Sequence, residues 1–419
     1  MPDPLETARI RQARGKFAAM AASYFLGTFN DNFYKQGVLL LAVAANRTSF
    51  QGLAAAAYTL PFVLFAAPAG WAADRYSKRS VVIASKLMEL GAALVGAAGL
   101  LFANLWLMVG MVGLMGIQAT FFSPALNGAI PELYPASYVT KANGVLRMLV
   151  TVAILVGTAC SGVVLDLQGR SFLRAGFGSA VLAGGVIGVA ALGLAVSLGI
   201  PFRPAADERR VFPWSGPLET VRELRSVFQD RLLGTIVWSD VFIWSAGALQ
   251  LLLINPLGLV QFHLSKQLTS GLVASQMIGI GVGGLLAARW AQGDRWYRVL
   301  VPGCLAMAAF LGAMAAVPCL PVPVQVPALF PLLALVGASG GLVMIPCESF
   351  IQVRPAPERK GAVWASANGI VFTGIVVASL VSNALNLWLA PSASFGVLAA
   401  GALGFAAWLR ARIRREGRP

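Results

Sequence analysis

Twelve long apolar runs, separated by short charged segments, dominate this sequence of 419 residues. A bilayer core of ~30 Å takes about 20 residues of helix to cross. The runs lie near 17–45, 50–73, 79–103, 105–130, 140–166 and 175–200, then 231–261, 271–292, 299–318, 325–352, 360–389 and 391–411. Lipid offers no water to backbone amides, so such runs cross as helices that satisfy their own hydrogen bonds. The pattern predicts an all-α membrane protein with 12 transmembrane helices. Composition excludes the alternatives: 58% of residues are hydrophobic and 12% charged, whereas soluble domains carry about 25% charged residues. Disorder is excluded on the same ground, because so much apolar surface demands burial.

The net charge of +15 does not imply nucleic acid, because the cations sit in the short segments between runs. With both termini in the cytoplasm, 25 of the 32 Lys and Arg fall on that side and 4 (Arg47, Arg170, Arg174, Lys266) on the other. That bias predicts a multi-pass membrane protein with both ends inside, and an even number of crossings. The only long hydrophilic stretch, 201–230, holds Arg203, Arg209, Arg210, Arg222 and Arg225, with Pro204, Pro213 and Pro217 opposing regular structure at its start. The expected domains are an N-terminal six-helix bundle over 1–200, a cytoplasmic linker over 201–230 and a C-terminal six-helix bundle over 231–419. The first run follows Arg9, Arg11, Arg14 and Lys16 as a signal peptide would, but its length and its Asn30-Asp31-Asn32 centre predict a retained span.

The halves echo one another weakly. Asp31 and Asp240 occupy matching places, and Pro124 with Ala142-Asn143-Gly144 resembles Pro346 with Ala367-Asn368-Gly369. Parallel six-helix repeats place a substrate site between halves near the membrane midplane. Cys160, Cys304, Cys319 and Cys347 form no ligand spacing and read as buried thiols, and His263 is the only histidine. Neither a metal nor a cofactor is expected. No Ser/His/Asp set or phosphate loop points to an enzyme, and His263 lacks an acid four residues on.

Between the second and third runs stands Gly70-Trp-Ala-Ala-Asp74-Arg75-Tyr-Ser77-Lys78-Arg79. It resembles the signature loop of the major facilitator superfamily, G-x-x-x-D-R-x-G-R/K-R/K, with Ser77 where the family usually has glycine. The resemblance implies two pseudo-symmetric six-helix bundles working by alternating access. It makes Gly70, Asp74, Arg75, Lys78 and Arg79 a conformational gate rather than a substrate site. In physical terms Gly70 permits close helix approach, and Asp74 can cap or pair at a helix end. Gly293-Asp294-Arg295 is what remains of a second copy.

Phe29-Asn30-Asp31-Asn32-Phe33-Tyr34-Lys35, Lys86-Leu87-Met88-Glu89 and Gln118 through Pro124 to Pro131 together resemble the bacterial lysophospholipid transporter family, mostly over the first half. The resemblance implies lysophospholipid flipping toward the inner leaflet, with an acyltransferase acting downstream on the imported lipid. With no acyltransferase motif before Pro419, the transporter alone is expected. Leu126 stands where the family commonly has lysine, Arg147 where it usually has an acid, and span seven lacks a central arginine.

An ionisable group at membrane depth is costly and needs a partner or a wet cavity. Asp31 and Lys35 lie i, i+4 and Lys86 and Glu89 lie i, i+3 on their helices, spacings that allow local pairs. Lys86 and Glu89 are expected as a structural pair. Arg147, Asp240 and Glu348 have no obvious local partner. With Asn30, Asp31 and Lys35 they form the expected substrate-binding set, where an arginine would suit a phosphate and a carboxylate an ammonium group. Arg147 also fits a snorkelling position at a span end. Two functions follow: a monomeric carrier of lysophosphatidylethanolamine-like amphiphiles among membrane lipids, or a proton-coupled exporter of drugs or small metabolites titrating at Asp31, Asp240 or Glu348.

Overall fold

The computed structural model describes residues 4–134, 136–202, 204–205, 207–209, 211–214, 216–291, 293–355 and 360–415. Arg203, Arg210, Arg359 and Arg418 lie outside the described residues, as do the side chains of Arg9, Pro131, Lys141, Asn143, Pro217, Asp294, Arg295 and Lys360. The fold is all-helical, and an isolated bridge between Phe172 and Ala175 is the one strand-like pairing among the described residues. The first seven helices are α1 (Pro4–Ala44), α2 (Ser49–Leu64), α3 (Ala66–Arg75), α4 (Lys78–Leu101), α5 (Leu105–Leu133), α6 (Ala136–Leu165) and α7 (Phe177–Ser197). The rest are α8 (Gly216–Gln229), α9 (Arg231–Pro256), α10 (Lys266–Trp290), α11 (Leu300–Ala316), α12 (Val322–Val353), α13 (Lys360–Trp388) and α14 (Pro391–Arg415).

Ten helices among the described residues are long and apolar enough to cross a membrane. The pair α2 and α3 is apolar enough only when taken together, as an eleventh candidate, and is bent by 56° at Phe65, between Pro61 and Pro68. Proline removes a helical hydrogen bond and explains a break at this place. The remaining expected span is α1. It runs for 41 residues, beginning well before residue 17, and Asn30, Asp31, Asn32, Lys35 and Gln36 lower the hydropathy of its middle. The hydrophilic stretch carries no helix among the described residues of 201–214, where its prolines begin, and α8 fills its second half. Of the four cysteines, Cys304 and Cys347 are buried, whereas Cys319 is exposed.

The chain divides into two compact units, residues 1–38 with 57–214 and residues 39–56 with 215–419. In the first unit α4 packs on α5 and α7, and α3 on α5. Met20, Phe122, Leu126, Ile130 and Leu146 form part of its core. In the second unit α10 packs on α12, α11 on α14 and α12, and α9 on α13. Small residues set the closest of these contacts. A Cβ at Gly279 or Gly283 would strike the backbone carbonyls of Ala334 or Ala338, and one at Gly337 or Gly341 would strike those of Gln276 or Ile280. Both helices therefore present glycines four residues apart to each other's backbone. In lipid, where no hydrophobic gain drives helices together, such close packing is a main source of cohesion. The end of α1 and the start of α2 belong to this second unit. There Asn255 Nδ2 donates to Gln51 Oε1 at 3.1 Å and Gln51 Nε2 to the Leu252 carbonyl at 3.5 Å.

Asp230 starts α9 as its N-cap, accepting from the backbone N–H of Leu232 and Leu233, each at 3.1 Å. It also accepts from Arg354 Nε at 3.1 Å. Burial alone would push the Asp230 carboxyl up, but the Leu233 N–H, the Arg354 guanidinium and the Leu232 N–H outweigh it and hold the group below its ordinary value. Its contribution is thus present above the ordinary aspartate range, ~3.9, and is lost as pH falls through the depressed value. Asp230→Ala should cost about 1 kcal/mol, the usual worth of a cap. Thermal unfolding in detergent should show a gap between wild type and variant that closes on acidification. A gap that persists into strong acid would contradict the assignment.

Candidate functional site

The polar middle of α1 meets α4 inside the first unit. Lys86 and Glu89, one turn apart on α4, are both fully buried, and Lys86 Nζ lies 2.7 Å from Glu89 Oε2. Glycines make room for the lysine: a Cβ at Gly27 on α1 would lie 2.5 Å from Lys86 Nζ, and Gly193 on α7 faces the same side chain. The ring of Phe122 on α5 lies 4.7 Å from Lys86 Nζ, a cation–π contact that is worth most when desolvated. The second oxygen of Glu89 accepts from Asn30 Nδ2 at 3.1 Å. The α4 pair is thereby joined to the α1 polar run.

Asp31, next along α1, is buried with 7% exposure. Its Oδ2 accepts from the Tyr58 hydroxyl at 3.4 Å, whereas Oδ1 is buried with no hydrogen-bond partner. Asp31 interacts electrostatically with Glu89, Lys86 and Lys35. Yet no ion pair joins Asp31 to Lys35 despite their i, i+4 spacing. Lys35 Nζ instead lies over the Tyr58 ring, 4.5 Å from its centroid, and its side chain is only partly buried. Tyr58, on α2, stands between acid and base and touches both. Sequence reasoning missed it, because a tyrosine in an apolar run carries no spacing signal until α2 is set against α1.

The other expected site residues are carried by α6, α9 and α12. Arg147 is exposed on α6, and its carbonyl accepts from Thr151 Oγ1. In the second unit Asp240 on α9 is buried, with Oδ1 lacking a partner. It interacts electrostatically with Glu348 on α12, which is half-buried.

The loop joining α3 and α4 is fastened on several sides within the first unit. Ser77 has φ −59° and ψ 134°, so nothing here calls for glycine, and its Oγ caps α4 by accepting from Ser80 N. The serine therefore supplies a cap where the family pattern has a turn glycine. Arg79 donates to the Leu198 carbonyl at 3.0 Å, and the Asp74 carbonyl accepts from Asp207 N at 3.0 Å. Arg75 and Lys78 are partly exposed. The packing role expected for Gly70 is not met in this structure, since a Cβ there would find nothing within 4 Å.

A model of the Major Facilitator Superfamily matches residues 17–378. The chain belongs to the Major Facilitator Superfamily. It is accordingly a membrane transport protein and not an enzyme. Superfamily structures share the fold: the chain aligns with the E. coli xylose transporter XylE at a TM-score of 0.70 and 14% identity, covering 94% of each chain. With the nucleoside transporter NupG the TM-score is 0.69 at 11% identity, covering 95% of this chain and 99% of that one. Among superfamily sequences it is 26% identical over 376 residues to the lysophospholipid transporter LplT of Cronobacter sakazakii, covering 84% of both. LplT of Yersinia pestis is also 26% identical, over 351 residues, covering 82% of this chain and 79% of that one.

Removing one member of a buried ion pair leaves the other charge uncompensated and costs ~3–5 kcal/mol, whereas replacing both with apolar residues of similar size is often neutral. Glu89→Gln and Lys86→Met should each lower the melting temperature in detergent sharply, and the double variant Lys86→Met, Glu89→Leu should recover most of the loss. A double variant as unstable as the worse single one would show that the pair is not what the packing around it serves.

Proposed function

We propose that this carrier moves lysophospholipids, amphiphiles of the lysophosphatidylethanolamine kind, from the outer to the inner leaflet of a bacterial inner membrane by alternating access, with both termini in the cytoplasm. One observation carries the reading: α1 holds an acid and a base one turn apart that are not paired with each other. Asp31 keeps a buried oxygen without a partner, and Lys35 keeps part of its surface open. A zwitterionic headgroup brings the complementary set, an ammonium for Asp31 and a phosphate for Lys35, each as a charge-assisted hydrogen bond. The likeness to LplT over four-fifths of the chain supports the same cargo class. Arg147, exposed on α6, offers a second phosphate donor. The gate residues of the α3–α4 loop act on conformation alone. An acyltransferase that re-esterifies the delivered lysolipid would act after this carrier, which works as a monomer.

A second reading is favoured by a different observation. Asp240 and Glu348 place two carboxyls within electrostatic reach in the second unit, an arrangement that suits a coupling proton in an exporter of drugs or small metabolites.

Transbilayer movement in proteoliposomes separates the two. Wild type should accelerate lysophosphatidylethanolamine flipping without an imposed proton gradient. Asp31→Asn should slow it ~10–100-fold, the worth of one charged hydrogen bond, while slowing a lysolipid without an ammonium group much less. Lys35→Gln should slow both. Equal rates in empty and protein-containing vesicles would reject the lipid reading. Gradient-driven efflux of a small solute, abolished by Asp240→Asn, would favour the exporter.

A further inference from the structure

Asp31 and Lys35 are placed to neutralise one another and do not. Side chains four apart on a helix are neighbours, and an acid followed by a base at that spacing ordinarily attract. Such a pair gains strength where water is scarce. Lys86, the other cation near Asp31, is taken by Glu89, so Lys35 is the base left for this acid. Between them stands Tyr58. Its hydroxyl donates to Asp31 Oδ2 at 3.4 Å, and its ring face carries Lys35 Nζ at 4.5 Å from the centroid. The first contact is long for a hydroxyl hydrogen bond. The second is a cation–π contact, weaker than a charge-assisted hydrogen bond.

The place of the ring is set from behind, by residues that carry no charge. α2 meets α5 at Gly116, where a Cβ would strike the Tyr58 carbonyl. A Cβ at Gly113, three residues earlier, would rest against Ala57 at 3.7 Å. Thr120 Oγ1 donates to the Gly116 carbonyl at 2.7 Å, and the Phe62 ring, one turn along α2, lies 5.7 Å from that of Tyr58. The α2 backbone is thus seated on α5 at backbone contact. Tyr58 is held over α1 by that seat and not only by the acid and base it touches.

We propose that Tyr58 is a positioning residue whose ring keeps Asp31 and Lys35 apart, so that the empty carrier does not neutralise its own headgroup site. The inference rests on the lysolipid reading above and adds how that site stays open. A pair formed within α1 would have to be broken by every incoming headgroup. The ring substitutes two contacts weaker than those the headgroup offers. An ammonium displaces a neutral hydroxyl from Asp31, and a phosphate draws Lys35 from a ring face. The ring is the separator, and the hydroxyl is secondary.

The test uses the full-length protein in bilayers free of lysolipid, labelled with 15N-lysine and 13C-aspartate. Magic-angle-spinning NMR measures the distance from Lys35 Nζ to the Asp31 carboxyl carbon, the two signals being those lost in Lys35→Arg and in Asp31→Asn. In wild type and in Tyr58→Phe the groups should stay beyond ion-pair range, ~4 Å, and in Tyr58→Leu they should come within it. Contact in wild type overturns the separation. Contact in Tyr58→Phe overturns the ring as its agent, and separation that persists in Tyr58→Leu overturns the role of Tyr58. Tyr58→Met, ringless and longer, takes the place of Tyr58→Leu if that variant does not fold, and the first two distances can overturn the proposal without either.

Flipping in proteoliposomes adds a readout that a packing role would not move. With lysophosphatidylglycerol, which lacks an ammonium group, Tyr58→Leu should raise the half-saturating lipid concentration ~10–100-fold, the worth of one charged hydrogen bond, with little change in maximal rate. Tyr58→Phe should raise it much less. Adding Asp31→Asn to Tyr58→Leu should recover most of the loss, because Lys35 is then free to meet the phosphate. A double variant as poor as Tyr58→Leu alone overturns the proposal, since a packing defect at 58 is not repaired by a change at 31. Absence of lysolipid flipping by wild type overturns the lysolipid reading, while the distances still decide whether Tyr58 separates the pair.

Discussion

Burying ionised groups inside an apolar bundle imposes the strictest demand on this fold. The Lys86–Glu89 pair is fully enclosed, and each charge would be expensive alone in such surroundings. The neighbours are arranged accordingly. Gly27 and Gly193 clear the space, Phe122 offers its ring face, and Asn30 takes the second Glu89 oxygen. Each of α1, α4 and α7 gives up a position that could have held an ordinary apolar side chain. The pair thereby holds the polar run of α1 in register, and with it the facing directions of Asp31 and Lys35.

This satisfaction stops at Asn30 Oδ1, buried without a partner, and at Asp31. Tyr58 serves one of its oxygens, and the other has no partner. An unmet buried acceptor costs free energy, so its persistence beside a lysine whose amine lies over a ring face fits a place kept for an incoming charged group. The second unit has a different character. Its closest packing is glycine against backbone between α10 and α12, and its cavity between α13 and α14 is lined almost entirely by apolar groups.

Much of the fold was legible because bilayer thickness converts directly into residue count. The run boundaries near 79–103, 105–130 and 175–200 lie close to α4, α5 and α7, and Asp74-Arg75 closes α3 just before the turn into α4. Features that depend on tertiary contact were not legible. Nothing in 39–56 announces that it packs with the later half of the chain, since that follows from polar partners such as Gln51 and Asn255, two hundred residues apart. The i, i+4 spacing of Asp31 and Lys35 suggested a direct pair, but a ring from another helix comes between them. Ser77 looked like the loss of a turn glycine, whereas the backbone there is ordinary and the hydroxyl caps α4. The apolar groove had no signature because glycine and alanine at 374, 378 and 401 are commonplace in membrane helices and become a cavity only where two helices fail to meet.

The central claim is that the acid and base of α1 hold a zwitterionic headgroup. Solid-state NMR of the protein in bilayers, with 15N-labelled lysine and bound lysophosphatidylethanolamine, measures the distance from the lipid phosphorus to Lys35 Nζ. The account predicts a Lys35 signal dephased by phosphorus at ion-pair range, and loss of that dephasing when unlabelled lipid lacking phosphate displaces the ligand. A Lys35 signal untouched by phosphorus while the lysolipid remains bound would contradict it.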